Sequence, residues 1–274
     1  MKSPWKIGIL VDSLKLGLAE GVRKAAELGA DGFQMFVTRG EVFPDNFPPP
    51  KRREFKKMSD GLGLEISALC ADFDWIRGFT DAEFNAINIP RIKKCVDLAV
   101  DLDTRIVTMH IGRLPDDQAN PAYQEALRAA TVLAEYAAPR RVTLCSETGP
   151  EAPAKLLEFL RQAPEKGIGV NYDPANLVMC GPFDHIGGVG ILKDYIGHTH
   201  AKDGVCLGNG KWKELPLGQG GVVFPYYLAA LKAAGYAGYL TIEREEGQDR
   251  VGDVSRAVEF LRQLGQTELP SLVA

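Results

Sequence analysis

The stretch Ile196-Gly-His-Thr-His-Ala-Lys-Asp203 decides how the rest of the chain is read. Its apolar start and length suit a short strand that ends on His200 and runs into a polar turn. Successive strand side chains point to opposite faces, so His198 and His200 share one face and Thr199 takes the other. Two imidazoles on one face, followed at once by Lys202 and Asp203, suit a polar site better than a core. Three other apolar runs stop on a carboxylate: Leu144-Cys-Ser-Glu147, Val170-Asn-Tyr-Asp173 and Tyr239-Leu-Thr-Ile-Glu243. Glu147, Asp173, His200 and Glu243 are therefore expected to meet in space around a divalent metal ion.

Working outward, short apolar runs recur along the chain. They predict strands over 6–11, 32–37, 64–69, 105–109, 142–146, 168–172, 196–200 and 239–242. Their ends fall near Val11, Phe36, Leu69, Met109, Ser146, Tyr172, Thr199 and Ile242. Helical spacing lies between them, over 16–28, 51–60, 89–102, 122–138, 153–162, 225–234 and 254–264, with a weak, glycine-broken helix over 184–195. Two helix-to-strand joints look alike, Leu28-Gly-Ala-Asp-Gly-Phe-Gln34 and Ala234-Gly-Tyr-Ala-Gly-Tyr-Leu240. Eight strands alternating with helices, with no composition shift to mark a linker, predict a single (β/α)₈ barrel over residues 1–274 with eight parallel strands. An open doubly wound sheet is the alternative, but the first turn, Val11-Asp-Ser-Leu-Lys15, lacks its GxGxxG.

Composition narrows the function. A chain of 274 residues, 45% hydrophobic and 25% charged, is ordinary for a globular protein. The net charge of -4 argues against a nucleic-acid surface, which needs a dense Lys/Arg face. The 5 cysteines are scattered without a CxxC pair, which fits a reducing compartment and no structural zinc knuckle. The apolar run after Trp5 stops at Asp12, too short for a signal-peptide core, and no later run spans a bilayer. A cytoplasmic protein is expected, with neither nucleic acid nor membrane as partner.

In such a barrel, functional groups sit at the C-terminal ends of the strands. Those ends carry Asp12, Gln34, Asp72, His110, Glu147, Asp173, His200 and Glu243. Carboxylates with one imidazole suit Mn²⁺, Mg²⁺ or Zn²⁺, and no thiolate is at hand for a structural zinc. His198 reads as a hydrogen-bonded core residue one layer below His200, and His185 as exposed. His110 reads equally well as a site residue or as a satisfied strand-end histidine. Glu245 shares a face with Glu243 but falls beyond the strand. Gly218-Gln-Gly-Gly221 reads as a plain turn rather than an anion cradle, since the P-loop Lys-Ser/Thr is missing. Lys202 is either an acid or substrate-charge partner in the site, or a surface lysine paired with Asp203.

Several motifs also carry a resemblance: Ser146-Glu-Thr148, Asn171-Tyr-Asp-Pro-Ala-Asn176, His198-Thr-His-Ala-Lys-Asp203, Pro216-Leu-Gly-Gln-Gly220 and Gly238-Tyr-Leu-Thr-Ile-Glu-Arg-Glu245. Through them the whole chain resembles the sugar phosphate isomerase/epimerase superfamily, the xylose isomerase-like barrels. That group includes ketose 3-epimerases, hydroxypyruvate isomerases, inosose dehydratases and endonuclease IV. The resemblance implies Glu147, Asp173, His200 and Glu243 as ligands of one divalent ion, whether Mn²⁺, Mg²⁺, Co²⁺ or Zn²⁺. Asn176 falls where ketose epimerases place a substrate-contacting histidine, and the His-x-His-Ala-Lys-Asp form is more similar to the inosose dehydratase and general isomerase branches. Endonuclease IV relatives need more metal-binding histidines than the 4 present here.

An ion that holds a carbonyl and its neighbouring hydroxyl stabilises the enediolate left when the C–H proton departs. Glu147 and Glu243, the candidate catalytic residues, would flank that plane from different sides, one removing the proton and the other, carrying a proton, returning it. His110, Asn176, Lys202 and Gln34 are the candidate substrate-binding residues. The expected activity is a metal-dependent sugar or sugar phosphate isomerase or epimerase, with a sugar or polyol ketone as its small-molecule partner. An inosose dehydratase-like lyase and a non-catalytic sugar-binding barrel are the alternatives, and homo-oligomerisation is left open.

Overall fold

The computed structural model describes residues 5–181 and 183–272. Eight strands close into a barrel: β1 (Lys6–Leu10), β2 (Gly32–Phe36), β3 (Glu65–Cys70), β4 (Ile106–Met109), β5 (Thr143–Glu147), β6 (Ile168–Tyr172), β7 (Ile196–Ala201) and β10 (Tyr239–Ile242). Every neighbouring pair is parallel, and the ring is shut where Ile7 of β1 lies opposite Leu240 of β10. Around it run α1 (Leu18–Glu27), α2 (Pro49–Gly61), α3 (Ala82–Asp101), α4 (Pro121–Ala137), α5 (Pro153–Leu160), α6 (Pro174–Cys180), α7 (Gly187–Leu192), α8 (Phe224–Ala233) and α9 (Arg250–Leu264). The expected (β/α)₈ barrel is what the chain forms. No described helix is long and apolar enough to cross a membrane.

Strand alternation sorts the side chains into two cores. Ile7, Ile9, Phe33, Met35, Leu144, Val170 and Tyr172 face the helices and are buried there. Phe33 meets Phe55 of α2 edge-on, with ring centroids 6.0 Å apart. The inward face is polar, with Gln34, Thr108, Asn171, His198, His200 and Thr241 all buried. Close packing there leaves little choice on β1, because a Cβ on Gly8 would lie 2.6 Å from the Thr241 hydroxyl oxygen.

The chain departs from the expected pattern in three places. Helix α3 begins seven residues before the expected 89, capped by Asp81, whose side chain accepts the Phe84 N–H. Pro90 lies inside it rather than at its start. Pro90 and Ala86 are both exposed, so the hydrogen bond that the proline removes lies on the solvent side of the helix. Helix α6 was not expected; its seven residues are too few for a periodic signal, and the Asp173 cap with Pro174 is its only local sign. The stretch after β7, expected as a turn and loop, is an antiparallel hairpin of β8 (Asp203–Gly208) and β9 (Lys211–Leu215). Asn209 and Gly210 turn it with φ of 52° and 71°, as a tight hairpin turn requires.

The hairpin is tied down at its base. Asp203 accepts the N–H groups of Gly204, Gly218, Gly220 and Val222, at 2.9, 2.9, 2.9 and 3.1 Å. The glycine-rich loop is therefore a turn whose N–H groups a protein carboxylate already fills. A Cβ on Gly220 would sit 2.1 Å from Asp203 Oδ1, which accounts for the glycine. From β9, buried Glu214 accepts Arg244 Nη1 at 2.6 Å and the Glu245 N–H at 3.0 Å, fastening the hairpin to the end of β10. Asp203→Asn replaces one carboxylate oxygen by a donor and leaves two of those N–H groups unmet. Urea denaturation should show a loss of about 3 kcal/mol, at about 1.5 kcal/mol for each bond to a charged acceptor.

Candidate metal centre

Each of the four expected ligands is delivered by a different barrel strand. Glu147 ends β5, Asp173 follows β6, His200 lies near the end of β7, and Glu243 follows β10. One donor atom from each falls within 4.8 Å of all the others. His200 Nδ1 stands 3.3 Å from Glu243 Oε2, 3.5 Å from Glu147 Oε1 and 3.8 Å from Asp173 Oδ2. Asp173 and His200 are 0% and 1% exposed, against 9% and 7% for Glu147 and Glu243. The aspartate and histidine thus make the floor, and the two glutamates stand toward the mouth.

The donor set fits a hard divalent cation: three carboxylates and one imidazole, with no thiolate. A more specific sign is Asp173. Its Oδ1 caps α6 by accepting the N–H groups of Ala175 at 2.8 Å and Asn176 at 3.1 Å. Its Oδ2 is buried at the centre of the cluster with no hydrogen-bond partner. A buried, unsatisfied carboxylate oxygen is costly unless a cation meets it.

The charges of the cluster act on one another. Burial pushes the Asp173 carboxyl up, against the pull of His200 and Lys202. Burial alone would lower His200, but the Glu243 and Glu147 carboxylates hold it well above the usual imidazole range. Glu243 goes the other way: burial would raise it, but Lys202 and His200 hold it below the usual carboxylate range.

The remaining expected residues fall into place around this centre. Lys202 is buried, and its Nζ reaches Glu243 Oε2 at 2.8 Å and also pairs with Glu245. The surface pairing with Asp203 does not form. Asn176 donates to Glu147 Oε1 at 2.8 Å. Gln34 is fully buried and spends its amide on Thr108 and His200. His198 lies below His200, bonded to Asn171 and Thr241. His185, expected to be exposed, is half-buried, and its ring accepts the Val223 N–H at 3.2 Å. Asp12 serves the neighbouring strand, accepting the N–H of Phe36 at the end of β2 at 3.0 Å.

His110 joins the site in a pair that was not foreseen. Its Nδ1 lies 2.5 Å from Asp72 Oδ2, and its Nε2 lies 3.8 Å from Glu147 Oε1. Asn171 is a second unforeseen member, donating to Glu147 Oε2 at 3.0 Å. The sign in the sequence was alternation, since Asn171 shares the inward face of Asp173.

The family model for the xylose isomerase-like TIM barrel matches residues 22–264, and the chain belongs to that family. A xylose isomerase domain protein from Planctomyces limnophilus is 28% identical, with a TM-score of 0.84 over 96% of this chain and 98% of that one. A D-tagatose 3-epimerase-like protein shares the fold at 22% identity and a TM-score of 0.76, covering 95% and 98%. So does the probable 3-DHS dehydratase AsbF from Bacillus anthracis, at 18% identity and a TM-score of 0.76, covering 93% and 98%. The fold therefore houses both sugar epimerases and a dehydratase.

The His110–Asp72 pair has a pH signature. Burial alone would lower His110, but Glu147 and Asp72 outweigh it and raise the imidazole from 6.5 to about 9. A raised folded-state value means the stabilisation is complete below pH 6.5 and is lost as pH rises toward 9. In chelator-treated protein, stability measured in urea should fall more steeply over that window than in His110→Gln. Equal slopes in the two proteins would show that the pair contributes nothing of this kind.

Proposed function

We propose that the protein is a divalent-metal-dependent sugar isomerase or epimerase that moves a proton at a carbon next to a carbonyl. The observation that carries this reading is the convergence of Glu147, Asp173, His200 and Glu243, with Asp173 Oδ2 otherwise unsatisfied. Glu147, Asp173, His200 and Glu243 would hold the ion. A bound divalent ion would supply Lewis acidity to a substrate carbonyl and its neighbouring hydroxyl.

The chain's own groups then divide the proton work. Glu243 receives a hydrogen bond from Lys202, which favours its ionised form and fixes which oxygen stays free. An ionised, oriented carboxylate is suited to take a proton from carbon. Glu147 stands across the centre on β5, its oxygens oriented by Asn171 and Asn176, and is placed to serve the opposite side. Return of the proton to the opposite face of the same carbon gives epimerisation, and return to the neighbouring carbon gives isomerisation. His110, held by Asp72, presents Nε2 beside Glu147, where a substrate hydroxyl would find a hydrogen-bond partner. Lys202 is committed to two glutamates, so its part is to set Glu243 rather than to meet a charged substrate.

Two measurements test this. Saturating Mn²⁺, Mg²⁺, Co²⁺ or Zn²⁺ should stabilise the fold by about 2.7 kcal/mol at a hundredfold excess over Kd. His200→Ala should abolish that gain and His185→Ala should keep it; no stabilisation by any of the four ions would refute the metal centre. Activity is then sought on ketoses, ketose phosphates and inososes, with products followed by NMR. Glu147→Gln and Glu243→Gln should still bind metal yet lose roughly 10²–10⁴ in turnover, since an amide cannot accept the proton. Normal turnover in both variants would remove them from the chemistry. A product lacking a hydroxyl would reassign the protein as a lyase on the same centre.

A further inference from the structure

Beneath the four ligands lies a layer of uncharged polar side chains, of which the proton chemistry draws on Asn171 alone. Gln34 of β2 is 0% exposed, and it reaches across the barrel between β4 and β7. Its Nε2 donates to Thr108 Oγ1 at 2.7 Å, which leaves Oε1 to face His200 Nε2 at 2.8 Å. That oxygen can only accept and is the nearest partner of Nε2, closer than the Asn171 amide nitrogen at 3.2 Å, which assigns hydrogen to Nε2 of His200. The other ring nitrogen, Nδ1, is the one that faces the three carboxylates.

A second arm of the same layer runs to Glu147. Asn171 donates through Nδ2 to Glu147 Oε2 at 3.0 Å, so its Oδ1 accepts from His198 Nδ1 at 2.9 Å. His198 Nε2 is then the acceptor for the Thr241 hydroxyl at 2.9 Å. The two histidines of β7 are thereby held in opposite tautomers, each dictated by an amide oxygen. The histidine that faces the cluster is the one whose Nδ1 is turned to the carboxylates, with the Asn171 amide nitrogen 3.4 Å away.

We propose that Gln34 is a positioning residue for the metal centre, its side-chain oxygen fixing His200 with hydrogen on Nε2 and the Nδ1 lone pair aimed at the ion. The inference rests on the metal reading given above. It also assigns a reason for a neutral amide at this place. A carboxylate would hold the same tautomer but would add a fourth negative charge beside Glu147, Asp173 and Glu243.

The test uses Mn²⁺ as the probe for affinity and the ¹⁵N spectrum of His200 as the probe for tautomer. Gln34→Leu should weaken Mn²⁺ binding by about 10–100-fold in calorimetry, the usual span for losing a partner behind a ligand histidine. In metal-free protein, at a pH alkaline enough that His200 carries a single proton, His200 of Gln34→Leu should show a mixture of tautomers, where the wild type shows hydrogen on Nε2. Gln34→Glu keeps an acceptor oxygen, so it should keep the wild-type tautomer and bind Mn²⁺ at least as tightly as the wild type. It also guards against Gln34→Leu failing to fold, because Gln34→Glu with a mixed tautomer, or with weakened Mn²⁺ binding, refutes the proposal by itself. If the wild type binds Mn²⁺ and Gln34→Leu matches it within twofold, the positioning role is wrong while the metal centre stands. If the wild type takes up no Mn²⁺, the metal reading fails and this proposal fails with it.

Discussion

The mutual repulsion of three buried carboxylates is the constraint on which the rest of this structure depends. Glu147, Asp173 and Glu243 place oxygens within 4.8 Å of one another at the mouth of a protein barrel. At an effective dielectric of about 20, two like charges at about 4 Å repel by about 4 kcal/mol. Three such pairs would rival the whole stability of an ordinary domain, about 5–15 kcal/mol. The fold answers with positive charge close by, from Lys202 on Glu243 and from His200 among all three. Even so, Asp173 Oδ2 is left without a partner, and a divalent cation is the simplest group that would satisfy it.

One continuous segment supplies most of that answer. From His198 to Asp203 the chain passes out of β7 and directly into the hairpin. His198, His200 and Lys202 point inward in succession and serve as underlying support, ligand and counter-charge. Asp203 then turns to gather the glycine loop. Because Glu214 of the same hairpin grips Arg244 beside Glu243, the hairpin also steadies the strand end that carries the last carboxylate. The site is consequently held from below by β7 and from the side by β9.

The barrel interior shows what this arrangement costs. Barrels of this class commonly fill their centre with layers of branched aliphatic side chains. Here the layer under the ligands is Gln34, Thr108, Asn171, His198 and Thr241, all buried. Such a network gives up apolar packing, yet once every donor and acceptor is matched it fixes orientation tightly. The apolar core has moved outward, to the interface between strands and helices, where Phe33 meets Phe55 and Tyr172 stacks on Tyr227.

The sequence by itself determined the alternation of strands and helices, the strand ends, and the identity of the four candidate ligands. These are local properties: a strand's period places His198 and His200 on one face, and an apolar run shows where it stops. It also contained signs of α6 and of the hairpin, in Asp173-Pro174 and Asn209-Gly210, but those elements are too short to announce themselves by periodicity. Tertiary structure alone decided which strand-end groups converge and at what height. Asp12 and Gln34 read as strand-end groups like Glu147, yet one caps a neighbouring strand and the other, in the middle of β2, lies beneath His200. Lys202 stands next to Asp203 in the chain but pairs with Glu243 and Glu245, 41 and 43 residues away. Periodicity gives each side chain a face; only closing β1 onto β10 brings those faces around one axis and sets which of them touch.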